Sequence, residues 1–82
     1  MLIDKVRDCM ARALELDGST AATVTETTTA GSLPGWTSVA HLSLILELEA
    51  AFGIAFDNSE IASLGSVAAI LQRLAAKGVC AA

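Results

Sequence analysis

The 82-residue chain reads as an all-α domain: a four-helix bundle of three main helices and one short helix, with a long loop after the first. Three observations predict it. Sixteen alanines and many leucines stand against only three aromatic residues, a balance that favours packed helices over a β-sandwich. Apolar residues recur at helical spacing in separate stretches. Capping residues precede those stretches and glycines follow them. The length allows one domain over 1–82, with a radius of gyration of ~12 Å and too little chain for a deep interdomain cleft.

Helix I is expected over 2–16, where Leu2, Ile3, Val6, Cys9, Met10, Ala13 and Leu14 share one face. Asp8 and Arg12 are spaced for an i,i+4 pair on the other side, and Gly18 is a natural stop. Residues 17–36 are rich in Thr, Ser and Gly. β-Branched Thr disfavours helix, and Ser and Gly favour turns, so this stretch reads as a long loop with at most a strand within 23–29. Leu33-Pro34-Gly35-Trp36 then breaks the chain.

Thr37 or Ser38 caps helix II, which runs to Phe52 and stops at Gly53. His41, Leu44, Ile45, Leu48 and Phe52 fall on one face, with Ala40, Ser43, Glu47, Ala50 and Ala51 opposite. Val39, Leu42, Leu46 and Glu49 form a flank that the core need not cover. Asp57-x-x-Glu60 is a capping box for a short helix over 58–63. Ser66 caps the last helix, whose Val67, Ile70, Leu71 and Leu74 face inward and which Lys77 and Gly78 close.

Charge and composition exclude several functions. The net charge is −4, and between Ala13 and Gln72 there are seven acids and no Lys or Arg. A nucleic-acid footprint needs a basic patch; an acidic chain suits small molecules or basic protein partners. No stretch is apolar for long enough to insert in a membrane. The start, Met1-Leu2-Ile3-Asp4-Lys5, is charged too early for a signal peptide, which predicts a cytoplasmic protein. Cys9 and Cys80 are too few for a disulfide framework or a local metal motif and read as free thiols. Ser38 and His41 are three apart on one helix, but no orienting acid or oxyanion hole accompanies them, so no catalytic residue is assigned. No metal site is assigned either.

Ser38 follows a turn and opens the long helix. A phosphate on its hydroxyl would meet unpaired backbone amides and the positive helix end. The run Trp36-Thr37-Ser38-Val39-Ala40-His41-Leu42-Ser43-Leu44-Ile45-Leu46-Glu47-Leu48-Glu49-Ala50-Ala51-Phe52-Gly53-Ile54 resembles the central helix of acyl carrier proteins. Ser38 stands fourteen residues before Phe52, where that family places its modified serine. The resemblance continues through Phe56-Asp57-Asn58-Ser59-Glu60-Ile61, Leu64-Gly65-Ser66-Val67 and Ile70, and covers residues 33–74.

The resemblance implies a monomeric carrier and not an enzyme. A phosphopantetheinyl transferase would attach 4′-phosphopantetheine to Ser38. The arm would hold an acyl or aminoacyl group as a thioester and present it to the loading and transfer enzymes of a fatty-acid, polyketide or other biosynthetic pathway. Thr37, Val39, Leu42, Leu46 and Glu49 would form the partner surface. His41, Leu44, Ile45 and Leu48 would line an acyl pocket opening from the bundle. One position departs from the family, which usually has Asp immediately before the serine. Thr37 caps a helix equally well but supplies no carboxylate to the transferase and its metal. That departure keeps a second reading open: a carrier-like helical interaction domain that is never modified. Helix II also carries only Glu47 and Glu49 as acids, which shifts partner contact toward Val39, Leu42 and Leu46.

Overall fold

A computed structural model of the chain describes residues 2–33 and 35–79. The expected breaker Pro34 and the thiol of Cys80 lie outside the described residues. The fold is all-α, with a radius of gyration of 11.4 Å. Its helices are α1 (Leu2–Ala13), α2 (Gly18–Ala22), α3 (Ser38–Phe52), α4 (Asn58–Ser63) and α5 (Val67–Ala76).

Helix α1 is shorter than its apolar pattern suggests. Glu15 takes a left-handed conformation (φ 54°), and the Leu16 N–H returns to the Ala11 carbonyl at 3.0 Å. This is a Schellman-type ending made without glycine. Gly18 is therefore not the stop but the first residue of α2, a helix that the Thr- and Ser-rich composition concealed. Asp17 caps it, its Oδ1 accepting from the Thr20 N–H at 2.7 Å. Arg12 does not pair along its own helix with Asp8. Its Nε donates to Glu47 of α3 at 3.0 Å. The ion pair within α1 is Arg7 with Asp4 at 3.0 Å.

Among the described residues, the segment after α2 contains no strand. Thr29 forms one antiparallel bridge with Ser66. The Ala30 N–H donates to Gly65 O at 2.8 Å, and the Val67 N–H donates to Thr28 O at 2.9 Å. These bonds fasten the long connection to the α4–α5 junction. Arg7 fastens its other end, with Nε and Nη2 donating to Val24 O at 3.2 and 2.9 Å. Val24 itself is fully buried. The connection is part of the core boundary and not a free loop.

Leu2, Val6, Cys9, Met10 and Leu14 of the first helical segment pack with Leu44, Ile45 and Leu48 of α3 and Val67, Ile70 and Leu74 of α5. Leu33, Trp36, Phe56 and Leu64 belong to the same buried core. Leu71, expected inward, is half-buried, as are Phe52 and His41. Burial pushes the Cys9 thiol up from its ordinary value, against the opposing pull of the Arg12 cation. Helix α3 ends at Gly53, whose φ of 64° places it in the left-handed region that glycine enters without strain.

The short helices depend on their caps. The Asp57 carboxylate accepts from the Glu60 N–H at 2.8 Å, and Glu60 Oε1 accepts from the Asp57 N–H at 3.0 Å. The Glu60 carboxylate also meets Lys77 at 3.0 Å and Arg73 at 3.4 Å. The backbone N–H bonds hold Asp17, Asp57 and Glu60 below the usual carboxylate range, helped at Asp57 by the Ser59 hydroxyl and at Glu60 by Lys77. Their folded pKa values lie below the unfolded ones, so the unfolded chain binds more protons in acid. The stability they contribute is complete above the ordinary carboxylate range and is lost as pH falls through the depressed folded values. An acid titration followed by residue-resolved NMR should show α2 and α4 amides losing protection before those of α1 and α3. Simultaneous loss in all four helices would contradict this order.

Candidate functional site

Thr37 sets the start of α3. Its backbone is extended (φ −88°, ψ 174°), and its Oγ1 accepts from the Ala40 N–H at 3.2 Å. Its carbonyl accepts from the His41 N–H at 2.8 Å. Ser38 is then the first helical residue, and it is exposed. Among the described residues no hydrogen bond engages its hydroxyl or the N–H groups of Ser38 and Val39. Unpaired donors in a first helical turn, added to the helix dipole, favour an anionic group at this position.

A cleft of about 450 Å³ opens beside Ser38. Thr37, Ser38, His41 and Leu42 line it from α3, and Asn58, Ile61 and Ala62 from α4. Ala30, Trp36 and Gly65 complete the wall, held there by the bridge between the long connection and the α4–α5 junction. Most of this lining is apolar, and the polar groups sit at the Ser38 end and at Asn58.

His41 has a defined chemical state within that wall. The Trp36 Nε1–H donates to His41 Nδ1 at 2.9 Å. Since Nδ1 accepts, the ring proton is on Nε2, which donates to the Ile61 carbonyl at 2.9 Å. The two rings stack with centroids 6.0 Å apart and planes 23° from parallel. Trp36 is only 6% exposed, so it anchors the imidazole. Both ring nitrogens are committed, and neither has a lone pair free to take a proton from Ser38.

Of the residues expected to line an acyl pocket, only His41 reaches the cleft. Leu44, Ile45 and Leu48 are sealed in the core. On the expected partner surface, Thr37 is exposed at the helix start, and Val39, Leu42 and Leu46 are 76%, 57% and 67% exposed. They form an apolar stripe at i, i+3 and i+7. Glu49 is half-buried and points elsewhere, its Oε2 accepting from the Phe56 N–H at 2.9 Å. With Glu47 paired to Arg12, both carboxylates of α3 are engaged inside the molecule.

Sequence reasoning missed Trp36, Asn58, Ile61, Ala62, Ala30 and Gly65 as parts of the site. The only advance signal was the position of Trp36, one residue before the capping Thr37. Among the described residues, no group of three His, Cys, Asp or Glu side chains is arranged to hold a metal ion. Among the same residues, no helix is long and apolar enough to cross a membrane. No protein-family model matches the chain, and no match was found among curated proteins or solved structures.

Proposed function

We propose that this chain is an acyl carrier protein: a cytoplasmic, monomeric carrier that takes a 4′-phosphopantetheine arm on Ser38. The observation that carries the reading is the exposed Ser38 hydroxyl, set at a helix start with unpaired amides and opening onto a mostly apolar cleft. The surroundings suit such an arm. The amides of Ser38 and Val39 favour a phosphodiester. Ala30, Ile61 and Ala62 offer apolar contact to its carbon chain, and Asn58 is a hydrogen-bonding partner for its amides.

In the loading step the Ser38 oxygen forms a bond to the pantetheine phosphorus of coenzyme A. The pyrophosphate linkage breaks, adenosine 3′,5′-bisphosphate leaves, and the hydroxyl proton passes to a base of the transferase. When bound, the arm supplies a thiol that holds an acyl or aminoacyl group as a thioester. The protein positions that group and presents it to partner enzymes; it is their substrate and not a catalyst itself. The test is incubation with coenzyme A and a broad-specificity phosphopantetheinyl transferase, followed by peptide mass mapping. One arm on Ser38 supports the reading. No mass gain, while a known carrier is modified in the same tube, counts against it.

Thr37 favours a second reading, an interaction domain that carries no arm. Its side chain is committed to the helix cap and offers no carboxylate. Thr37→Asp separates the two: it keeps a capping residue and restores the acid. If it converts an inert chain into an acceptor, transferase recognition was the obstacle.

Partner contact in the carrier reading falls on Val39, Leu42 and Leu46. Leu46→Asp should reduce turnover by a loading or transfer enzyme. Stability should change by no more than about 0.5 kcal/mol, since the side chain is largely solvated. Because Glu47 and Glu49 are engaged internally, the interaction should weaken little with added salt. Unfolding of the variant, or a steep salt dependence, would contradict this assignment.

A further inference from the structure

We infer that the Trp36–His41 pair is an acid-operated latch: a proton taken up by the imidazole breaks its bond to the indole and frees the segment that leads into Ser38. The inference concerns this pair alone and does not rest on the carrier reading.

The two partners of His41 leave it one chemical state. An indole N–H can only donate, and a carbonyl can only accept. Trp36 Nε1–H donates to Nδ1 at 2.9 Å, and Nε2–H donates to the Ile61 carbonyl at 2.9 Å. The arrangement therefore holds the neutral ring and excludes the cation. A proton from solvent can add only at Nδ1, where it sets two N–H groups against each other across that short distance. The bond to Ile61 survives protonation and gains from the charge. Helix α4 thus keeps its tie, and Trp36 is the side that gives way.

Trp36 does not stay in place unpaired. It is buried, and a buried N–H without an acceptor is costly. Its backbone is held loosely: its N–H reaches the Leu33 carbonyl at 3.3 Å, beside Gly35 in the left-handed region (φ 92°). Thr37 follows directly and caps α3, so movement of Trp36 alters the approach to Ser38.

No carboxylate is placed to hold the cation where the ring sits. Among the described residues, no Asp, Glu, Lys or Arg lines the cleft around His41. On α3, Glu47 pairs with Arg12 and Glu49 accepts from the Phe56 N–H. Asp57, the cap of α4, and Glu60 within it bond each other's backbone, and Glu60 also pairs with Lys77 and Arg73. Glu26 of the connection is exposed and outside the lining. Histidine is the side-chain type that ordinarily titrates between about pH 5 and 8, and His41 is the single one. Asp17, Asp57 and Glu60 are held below the carboxylate range, so the helix caps remain intact in that window.

The experiment is an NMR and fluorescence titration of the full chain from about pH 8 to 5. The single histidine and single tryptophan make the signals unambiguous. At the start, ring nitrogen shifts should show the proton on Nε2. As the ring protonates, protection of the Trp36 indole N–H should fall about tenfold, and its emission should move to the red, both with the midpoint of the ring. Amides of Ile61, Leu44 and Leu48 should keep their protection. His41→Gln offers an acceptor to Trp36 and a donor to Ile61 but does not titrate, so it should hold the indole throughout. Several results would overturn the latch: the proton on Nδ1 at the start, a ring that stays neutral to the end, or an indole indifferent to its protonation. So would the same pH dependence in His41→Gln, or simultaneous loss at Leu44 and Leu48, which would be unfolding instead.

Discussion

Ser38→Ala should abolish arm loading completely while leaving the helical circular dichroism spectrum and the melting temperature close to wild type. The loss is all-or-none because the attacking atom is removed, and no neighbouring group substitutes for it. Thr37 Oγ1 is held by the Ala40 N–H, and His41 is bonded at both nitrogens. Stability should hold because Thr37, and not Ser38, caps α3, and the Ser38 side chain is exposed. Alanine at the first helical position is a good helix former. A variant that still gains the arm would move the site away from Ser38. A variant that unfolds would show that the hydroxyl has a structural role.

The largest stability effect should come from Leu48→Ala. Leu48 is fully buried in the core that α1, α3 and α5 share. Truncation of such a leucine costs about 2–5 kcal/mol, from lost burial and from the cavity left behind. A chain of this length has a total stability near the lower end of the usual 5–15 kcal/mol range. The variant should therefore be partly unfolded at 37 °C, with a urea midpoint far below that of the wild type. Leu46→Asp, two residues away but exposed, is the internal control and should barely move the midpoint. Similar losses in both would mean that the register of α3 is rotated from the one described.

Those two leucines show what could be read from the chain. The 3.6-residue period alone separates Leu44, Ile45 and Leu48 from Val39, Leu42 and Leu46, and the structure buries the first set and exposes the second. The caps at Asp57 and Ser66 were equally legible, and the cap of α3 to within one residue, Thr37 or Ser38, because each is a local pattern of side chain and backbone. One local cap was missed, and features that depend on distant partners were not legible. Asp17 looked like part of a loop, since Ser, Thr and Gly around it outweighed one capping signal. Arg12 had a partner at helical spacing, yet packing of α1 on α3 brought Glu47 to it. Glu49 belonged to an exposed flank by angle, but the turn after Gly53 delivers the Phe56 amide to its carboxylate.

The candidate site divides in the same way. Ser38 was visible from its place at a helix start and from the resemblance that surrounds it. The cleft was not, because its far wall comes from α4 and from the segment bridged to Ser66. The role of His41 required both of its hydrogen-bond partners, five and twenty residues away. The resemblance implied that it lines, with Leu44, Ile45 and Leu48, a pocket opening from the bundle. In the structure it stands in the wall of an outer cleft, and the core beneath is closed by Leu44 and Leu48.

The central claim is that Ser38 carries the arm in the cell. It is tested most directly by purifying the chain from the cells that make it and recording the mass of the peptide that contains Ser38. The carrier reading predicts that peptide with one phosphopantetheine attached, and with an acyl group on a fraction of it. A Ser38 peptide found only in the unmodified form, under conditions that preserve the arm on other carriers from the same cells, would contradict it.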